Sequence, residues 1–553
     1  MAAPRGGIAA RQRTGEDSGV EFDYIVVGAG AAGCVVAGRI AAADPRRSVL
    51  LIEYGGRGRN PLLYIPKGFY YTLRGDRYLY RYKTQPVTPG SDPEVWLRGR
   101  VLGGSAAVNG MMWTRGAPAD WDGLAARGNP GWSWADVLPA YRAMEDHSLG
   151  ASDMRGASGP LGVSVTDTGD PVAGAILASA VAHGWEHVED VNASDAERIG
   201  FTPSTIRNGR RTTSYTAFVR PALAARHKNL MVATRTRVGR LLFDGRRVTG
   251  VCVRERNTTT RDINARREVI VCAGGVETPL LLERSGIGRP DVLRALGIET
   301  RVESPNVGER IIEQRGVAMQ VTLKEDTGVA RQLSGLPGQA GEGLKYLLTG
   351  KGLLATAGYD LVCQFRSDPK QARPDIQGLI APMALDTSSK DMKLARHAGI
   401  LFMAYPIRPQ TRSSVHASGP DPDDAPVIDA RFLEAEADRA AAASVLSIAR
   451  DVLDTSPVAG LIAGEEFPGP GVATPEQAVD YSRRTGTGLY HAVGSAAMGP
   501  EDDDVVDTTL RVRGTEGLRI ADASVLPVQV SGNTAAPAML VGYRAADLCL
   551  SDS

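Results

Sequence analysis

The sequence predicts an α/β protein of more than one domain, and three observations carry that prediction. First, FDYIVVGAGAAGCVVAGRIAA (22–42) reads as a buried strand over 24–27, a glycine turn and a helix, with Gly28, Gly30 and Gly33 in GxGxxG spacing at the turn. Second, an apolar run over 48–52 ends on Glu53, twenty residues beyond Gly33. Third, 553 residues exceed what one hydrophobic core usually serves. The first two together are the opening of a Rossmann-like dinucleotide-binding unit. Gly28 permits the turn, Gly30 lets backbone approach a pyrophosphate, and Gly33 lets the helix pack on the strand. The phosphates belong at the helix N-terminus, where free N–H groups and the dipole favour an anion. Glu53 stands where an acid accepts hydrogen bonds from an adenosine ribose.

Composition removes several alternatives. Lysines and arginines balance aspartates and glutamates, giving a net charge of zero and no footprint for nucleic acid. No apolar run reaches the roughly 18 residues that a membrane span needs. Residues 1–21 carry charges and no apolar h-region, so they read as a disordered leader rather than a signal peptide, and a cytoplasmic location is the simplest fit. Five cysteines lie scattered, without a CxxC pair or a Cys/His cluster, so neither a disulfide framework nor a metal site is expected. His183 and His187 have a four-residue spacing that could put two ligands on one helix face, but Gly184 lies between them and no acid or cysteine completes a set.

A second glycine-rich stretch organises the rest of the chain. WLRGRVLGGSAAVNGMMWTRG (96–116) packs Gly99, Gly103, Gly104 and Gly110 around Asn109. Each glycine carries an entropic penalty, so this density implies that another backbone or a flat ligand comes very close. Beyond it, 120–144 alternates turn signals with helical spacing and carries Trp121, Trp132 and Trp134 as expected core. Residues 229–253 read as two strands with a turn at Asp244-Gly245. CAGGVETPLLLERSGIG (272–288) reads as strand, glycine turn and helix. Strand-like pieces follow at 315–323, 361–365, 376–384 and 400–408, and 438–453 has helical apolar periodicity.

Five segments together resemble the glucose-methanol-choline (GMC) oxidoreductase family. They are the N-terminal fingerprint, 96–116, 272–288, LYHAVGSAAMGP (489–500) and GLRIADASVLPVQVSGNTAAPAML (517–540). The resemblance covers essentially 22–548. It implies FAD as cofactor, in a Rossmann-like FAD-binding domain with a discontinuous α+β substrate-binding cap on an antiparallel sheet. The FAD-binding domain would comprise 22–164, 225–312 and 466–553, and the cap 165–224 and 313–465. Carried over motif by motif, the residues implied to contact FAD are Gly28, Ala29, Gly30, Gly33, Glu53, Tyr54, Arg100, Val101, Gly103, Gly104, Ser105, Asn109, Gly110 and Met111. Val238, Ala273, Gly274, Asp522, Ala523, Asn533 and Thr534 complete that set. Asp522 also reads as a helix cap, which is compatible with a place beside the cofactor.

Departures from the family pattern are informative. Val108 stands where some members carry a histidine bonded covalently to the flavin, so FAD is expected to be non-covalent. Tyr54 replaces the usual small residue after the ribose acid. Glu313-Gln314 replaces the usual Asp-His, which puts in doubt whatever contact that histidine makes.

The resemblance places the chemistry on His491 and Asn533, in the family's His–Asn version. An alcohol gives a hydride to flavin N5 only as its hydroxyl proton leaves, so the protein must supply a base. Histidine suits that task because its ordinary pKa is near 6.5, and activity is expected to rise with pH through its ionisation. Asn533 offers an amide to the same oxygen. The expected reaction is oxidation of a small polar primary alcohol, sugar-like or amino-sugar-like, to an aldehyde. Glu313, Asp360, Glu465 and Glu466 are the acids that could face a cationic substrate. The alternatives are an aryl or aliphatic alcohol oxidase or dehydrogenase and, behind it, a non-redox lyase of the hydroxynitrile lyase type. The electron acceptor is oxygen or another carrier.

Overall fold

A computed structural model describes residues 21–255, 259–333, 335–386 and 393–552. Residues 1–20 of the expected leader lie outside the described residues. Two sheets organise the molecule. The first begins with β1 (Glu21–Val27), α1 (Ala31–Ala43) and β2 (Val49–Glu53). Its parallel part runs in the order Leu230–Thr234, β2, β1, Thr259–Val271, with Leu518–Ile520 parallel beside the last of these. The strand Thr259–Val271 serves two neighbourhoods. Its first half pairs antiparallel with Arg247–Glu255, and from Asn264 onward it pairs with β1.

The reason β1 and β2 read so clearly is that parallel strands covered on both faces are continuously apolar. Val26, Leu51 and Ile270 are fully buried side by side. Each such side chain contributes about 1.5–3 kcal/mol relative to exposure. Where two strands were expected over 229–253, three form. The chain breaks at Arg235, whose φ of 60° places it in the left-handed region and whose N–H donates to the Gly55 carbonyl at 3.0 Å. A long side chain in that conformation is uncommon, and no glycine or asparagine marks the break in sequence.

The second sheet is mostly antiparallel. Its order is Ile462–Phe467, Arg315–Leu323, Gly399–Pro406, Ile376–Ala381, Leu361–Phe365, Arg198–Phe201, Glu186–His187. Glu436–Leu453 and Pro171–Ala182 pack against it through their own apolar cluster. The strand Ile462–Phe467 runs through position 465, where the expected division between domains falls. The final helix, Ala535–Ser551, lies on α1, so close that a Cβ at Gly542 would meet the Ala32 carbonyl oxygen at 2.5 Å. That contact docks the N-terminal end of this helix, and with it Asn533 and Thr534, beside the glycine turn. Among the described residues no helix is long and apolar enough to cross a membrane.

Candidate active site

A single elongated cavity of about 450 Å³ joins the glycine turn to His491 and Asn533. Its walls come from both sheets. Gly28, Gly30, Glu53, Tyr54, Gly104, Ser105, Asn109, Gly110, Met111, Val238, Ala273, Gly274, Asp522, Ala523, Asn533 and Thr534 line it, as does His491. The remaining residues named from sequence stand behind this lining. The Ala29 N–H donates to the Glu53 carboxylate at 3.1 Å. Gly33 is pressed so tightly onto the strand that a Cβ there would lie 1.9 Å from the Gly28 carbonyl oxygen. The Gly103 N–H donates to the Ala29 carbonyl at 2.8 Å, tying the second glycine stretch to the first. Val101 is buried in a small cluster with Val108 and Leu79. Arg100 donates to the Asp76 carbonyl, with its guanidinium over the rings of Tyr54 and Tyr80.

The nucleotide end fits FAD on several counts. Gly30, Gly110 and Gly274 all line the cavity, and a Cβ on any of them would meet nothing within 4 Å, so the three form an open cradle. The 13-residue helix α1 opens into this cradle with no side-chain cap and no acid in its first turn, leaving its N–H groups for an anion. Among the described residues Glu53 accepts only the N–H groups of Ala29 and Gly55, and burial pushes its carboxyl up to about 7 despite those bonds and nearby Arg100. A buried acid so placed gains from further donors such as ribose hydroxyls. Tyr54, the departure noted in sequence, has a structural reason. Its ring stacks with Tyr80 at 5.9 Å, with the Arg237 guanidinium 4.7 Å away on the same stack. Arg237 itself pairs with Glu277, which accepts from the Tyr82 hydroxyl at 2.6 Å. Tyr80, Tyr82, Arg237 and Glu277 escaped sequence reasoning, since no motif marks them. Asp522 accepts from the Gly274 N–H and Thr278 hydroxyl with one oxygen and from the Ser524 N–H with the other. It therefore caps locally while its segment lines the cavity. Val108 lines the cavity at the position where a covalent histidine would stand.

The other end is built from side-chain amides. Asn533 Nδ2 lies 3.2 Å from His491 Nε2, and Gln314 Oε1 lies 2.7 Å from His491 Nδ1. The hydrogen-bond roles follow from partners that cannot change role. Gln314 Nε2 donates to the carbonyls of Ile407 and Gly532, which only accept, so Gln314 presents its oxygen to His491. His491 must then carry its proton on Nδ1, which leaves the Nε2 lone pair free to face Asn533 and the cavity. Burial, with the Arg98 guanidinium adding like charge, pushes the imidazole pKa down to about 3. The neutral form therefore prevails through the physiological range. The contact in doubt at Gln314 is thus made by an amide, in a tautomer-fixing role.

None of the acids expected to face a substrate lines the cavity. Glu313 accepts the backbone N–H groups of Gln314 and His491 and stands 3.6 Å from Arg98. Asp360 is buried 3.8 Å from Lys67. Glu465 pairs with Arg450, and Glu466 accepts from Gln320 beside His397. Met112, Tyr359, Leu379, Met403, Leu489 and Tyr490 line the cavity together with His491 and Asn533.

Models of the GMC oxidoreductase family match residues 22–314 and 409–542. The chain is 35% identical to an uncharacterised GMC-type oxidoreductase of Mycobacterium tuberculosis, over 96% of this chain and 99% of that protein. It is 33% identical to the mitochondrial choline dehydrogenase of Homo sapiens, over 98% and 92% of the two chains. Among solved structures it is similar to pyridoxine 4-oxidase from Mesorbium loti, with a TM-score of 0.85 and 27% identity, covering 95% of this chain and 98% of that one.

Proposed function

Because the chain belongs to the GMC oxidoreductase family of FAD-dependent enzymes acting on alcohols, we propose that it oxidises a neutral, largely apolar or aromatic primary alcohol to the aldehyde. The observation that carries the substrate class is the lining beside His491: aromatic, sulfur and aliphatic side chains with no carboxylate among the described lining residues there, Glu313 behind it being held by backbone N–H groups and by Arg98. An amino-sugar or other ammonium substrate would be buried without a counter-charge, which is costly. The acid-facing reading therefore gives way to the apolar one. Choline, the substrate named for a relative, would have only ring faces to hold its cation.

The assignment of roles rests on the geometry above. His491 Nε2 takes the hydroxyl proton. Asn533 Nδ2 donates to the same oxygen, and the alcohol replaces their direct 3.2 Å contact. FAD, when bound, supplies the acceptor for the hydride. Gly30, Gly110 and Gly274 form its cradle, with Gly28 and Gly104 packed on the backbone beside them, Glu53 receives the ribose, and Tyr54 and Val238 border the adenine end. The first sheet's segments form the FAD-binding domain and the second sheet's segments form the substrate-binding cap. Val108 leaves the flavin non-covalent, so acid precipitation should release all yellow colour into the supernatant; colour in the pellet would refute this part.

The function is tested by anaerobic mixing of the holoenzyme with benzyl alcohol, hexanol, glucosamine, N-acetylglucosamine and choline. Fast bleaching of the flavin by the first two is expected. Faster bleaching by glucosamine than by its acetylated form would restore an acidic pocket, and no bleaching by any alcohol would favour a non-redox reaction. Repeating the series in air identifies whether oxygen serves as acceptor.

A further inference from the structure

Behind Asn533 a row of buried amides crosses the second sheet. Arg198, buried on the strand Arg198–Phe201, donates through NH2 to Gln364 Oε1 at 2.7 Å. Gln364 Nε2 donates to Gln377 Oε1 at 3.0 Å. Gln377 Nε2 donates to Asn533 Oδ1 at 3.0 Å and to the Tyr405 hydroxyl oxygen at 2.6 Å. Asn533 Nδ2 then faces His491 Nε2. Gln364 and Gln377 lie on neighbouring antiparallel strands, directly opposite each other in register.

An amide is a donor at one end and an acceptor at the other, so a row of them has a direction. A guanidinium cannot accept, so Arg198 fixes Gln364 with its oxygen inward. Each following amide is then forced in turn. We infer that Gln377 is a positioning residue whose donor end, oriented from Arg198 through Gln364, holds the Asn533 amide so that its N–H rather than its oxygen faces the base. Were Asn533 reversed, its oxygen would sit against the Nε2 lone pair, a repulsion relieved only if Nε2 takes the proton that Gln314 otherwise holds on Nδ1. The proton-accepting lone pair would be lost. Gln377 is fully buried, so no water substitutes for its N–H, and the Thr114 hydroxyl, the other donor to Asn533 Oδ1 among the described residues, reaches it only at 3.4 Å against 3.0 Å for Gln377. The consequence for catalysis rests on the proposed reading of His491 as the base; the orientation itself does not.

The test is Gln377→Glu, which keeps the shape and exchanges the donor end for an acid. Protonated, the new carboxyl can still donate to Asn533 Oδ1. Ionised, it can only accept, and it draws the Asn533 N–H away from His491. Burial raises the pKa of such a group toward neutrality. In the holoenzyme, the rate of anaerobic flavin reduction should therefore stay near wild type at low pH and fall about 10²-fold as pH rises, the size of effect expected for a lost base. The wild type should show no such fall. Gln364→Glu, one step further from the site and held ionised by Arg198, should instead lower the rate at every pH by reversing Gln377. ¹⁵N-histidine NMR of the substrate-free holoenzyme gives a second reading: His491 should be protonated on Nδ1 alone in the wild type and on Nε2 in alkaline Gln377→Glu. A pH-independent loss in Gln377→Glu with an unchanged His491 tautomer would reduce Gln377 to a packing residue and overturn the inference. If the alcohols leave wild-type flavin oxidised, the proposed function fails, while the NMR reading still decides the orientation.

Discussion

The two ends of the cavity are made of different materials. The nucleotide end is built from backbone: glycines, helix N–H groups and one buried acid, contributed by contiguous stretches. The end around His491, the proposed catalytic one, is built from side-chain amides contributed by separate strands and loops. Gln314, Gln377 and Asn533 meet around His491 from positions 314, 377 and 533. A backbone site fails by obstruction, which is all or none. An amide site fails by misorientation, which is graded. The difference predicts how each end responds to substitution.

The largest effect belongs to Gly30→Val. A Cβ there meets no protein atom within 4 Å, and the valine branches beyond it would stand in the cradle. The backbone at Gly30 is already extended, with φ −81° and ψ −160°, so the fold should tolerate it. The purified variant should keep its circular dichroism and carry no flavin absorbance. A yellow Gly30→Val would show that the cradle lies elsewhere. Gly33→Val should instead lose soluble protein, because its Cβ would overlap the Gly28 carbonyl.

Next is His491→Ala, which leaves the cradle untouched. The variant should be as yellow as the wild type yet reduce its flavin about 10²–10⁴-fold more slowly. Stopped-flow absorbance under nitrogen measures this directly, and near wild-type reduction would remove His491 from the reaction.

The same contrast explains what could be read from sequence. β1, α1, β2 and the glycine contacts were legible because local spacing encodes them, and the second sheet's strands at 315–323 and 361–365 were placed correctly from apolar patterning alone. The break at Arg235 was not, because a left-handed non-glycine carries no sequence mark. His491 and Asn533 were reachable through family motifs. Gln364 and Gln377 were not, because a buried glutamine looks like a surface one until its neighbours are known, and Gln314 was marked only as a departure whose contact was in doubt. Glu313 misled for the same reason: an acid read as free to face a substrate proved to be held by backbone N–H groups.

A smaller effect is expected of Gln314→Leu. The His491 proton on Nδ1 loses its acceptor, and the ring is no longer held in one tautomer. One neutral hydrogen bond is worth about 1 kcal/mol, or roughly fivefold in rate. Flavin reduction should slow by about that factor, with FAD content unchanged. A loss as large as that of His491→Ala would mean that Gln314 does more than orient the ring.

The smallest effect is an absence of change. A base with its ordinary pKa near 6.5 would make kcat/KM climb through neutrality. In this site burial comes first in depressing His491, and Arg98 adds to it, taking the ionisation down to about 3. Lowering the pKa of a base favours its neutral, competent form, so protonation should begin to inhibit only as pH falls toward that value. Between about pH 5 and 9 the profile of kcat/KM for a neutral alcohol should therefore be flat, since neither the base nor the substrate changes charge there. Substituting Arg98→Met removes the like charge but not the burial, so any acid limb should move upward only modestly. An ascending limb near neutrality in the wild type would mean that the bound cofactor or substrate restores the basicity of His491, and the amide end of the cavity would then be tuned by its ligands rather than by its own burial.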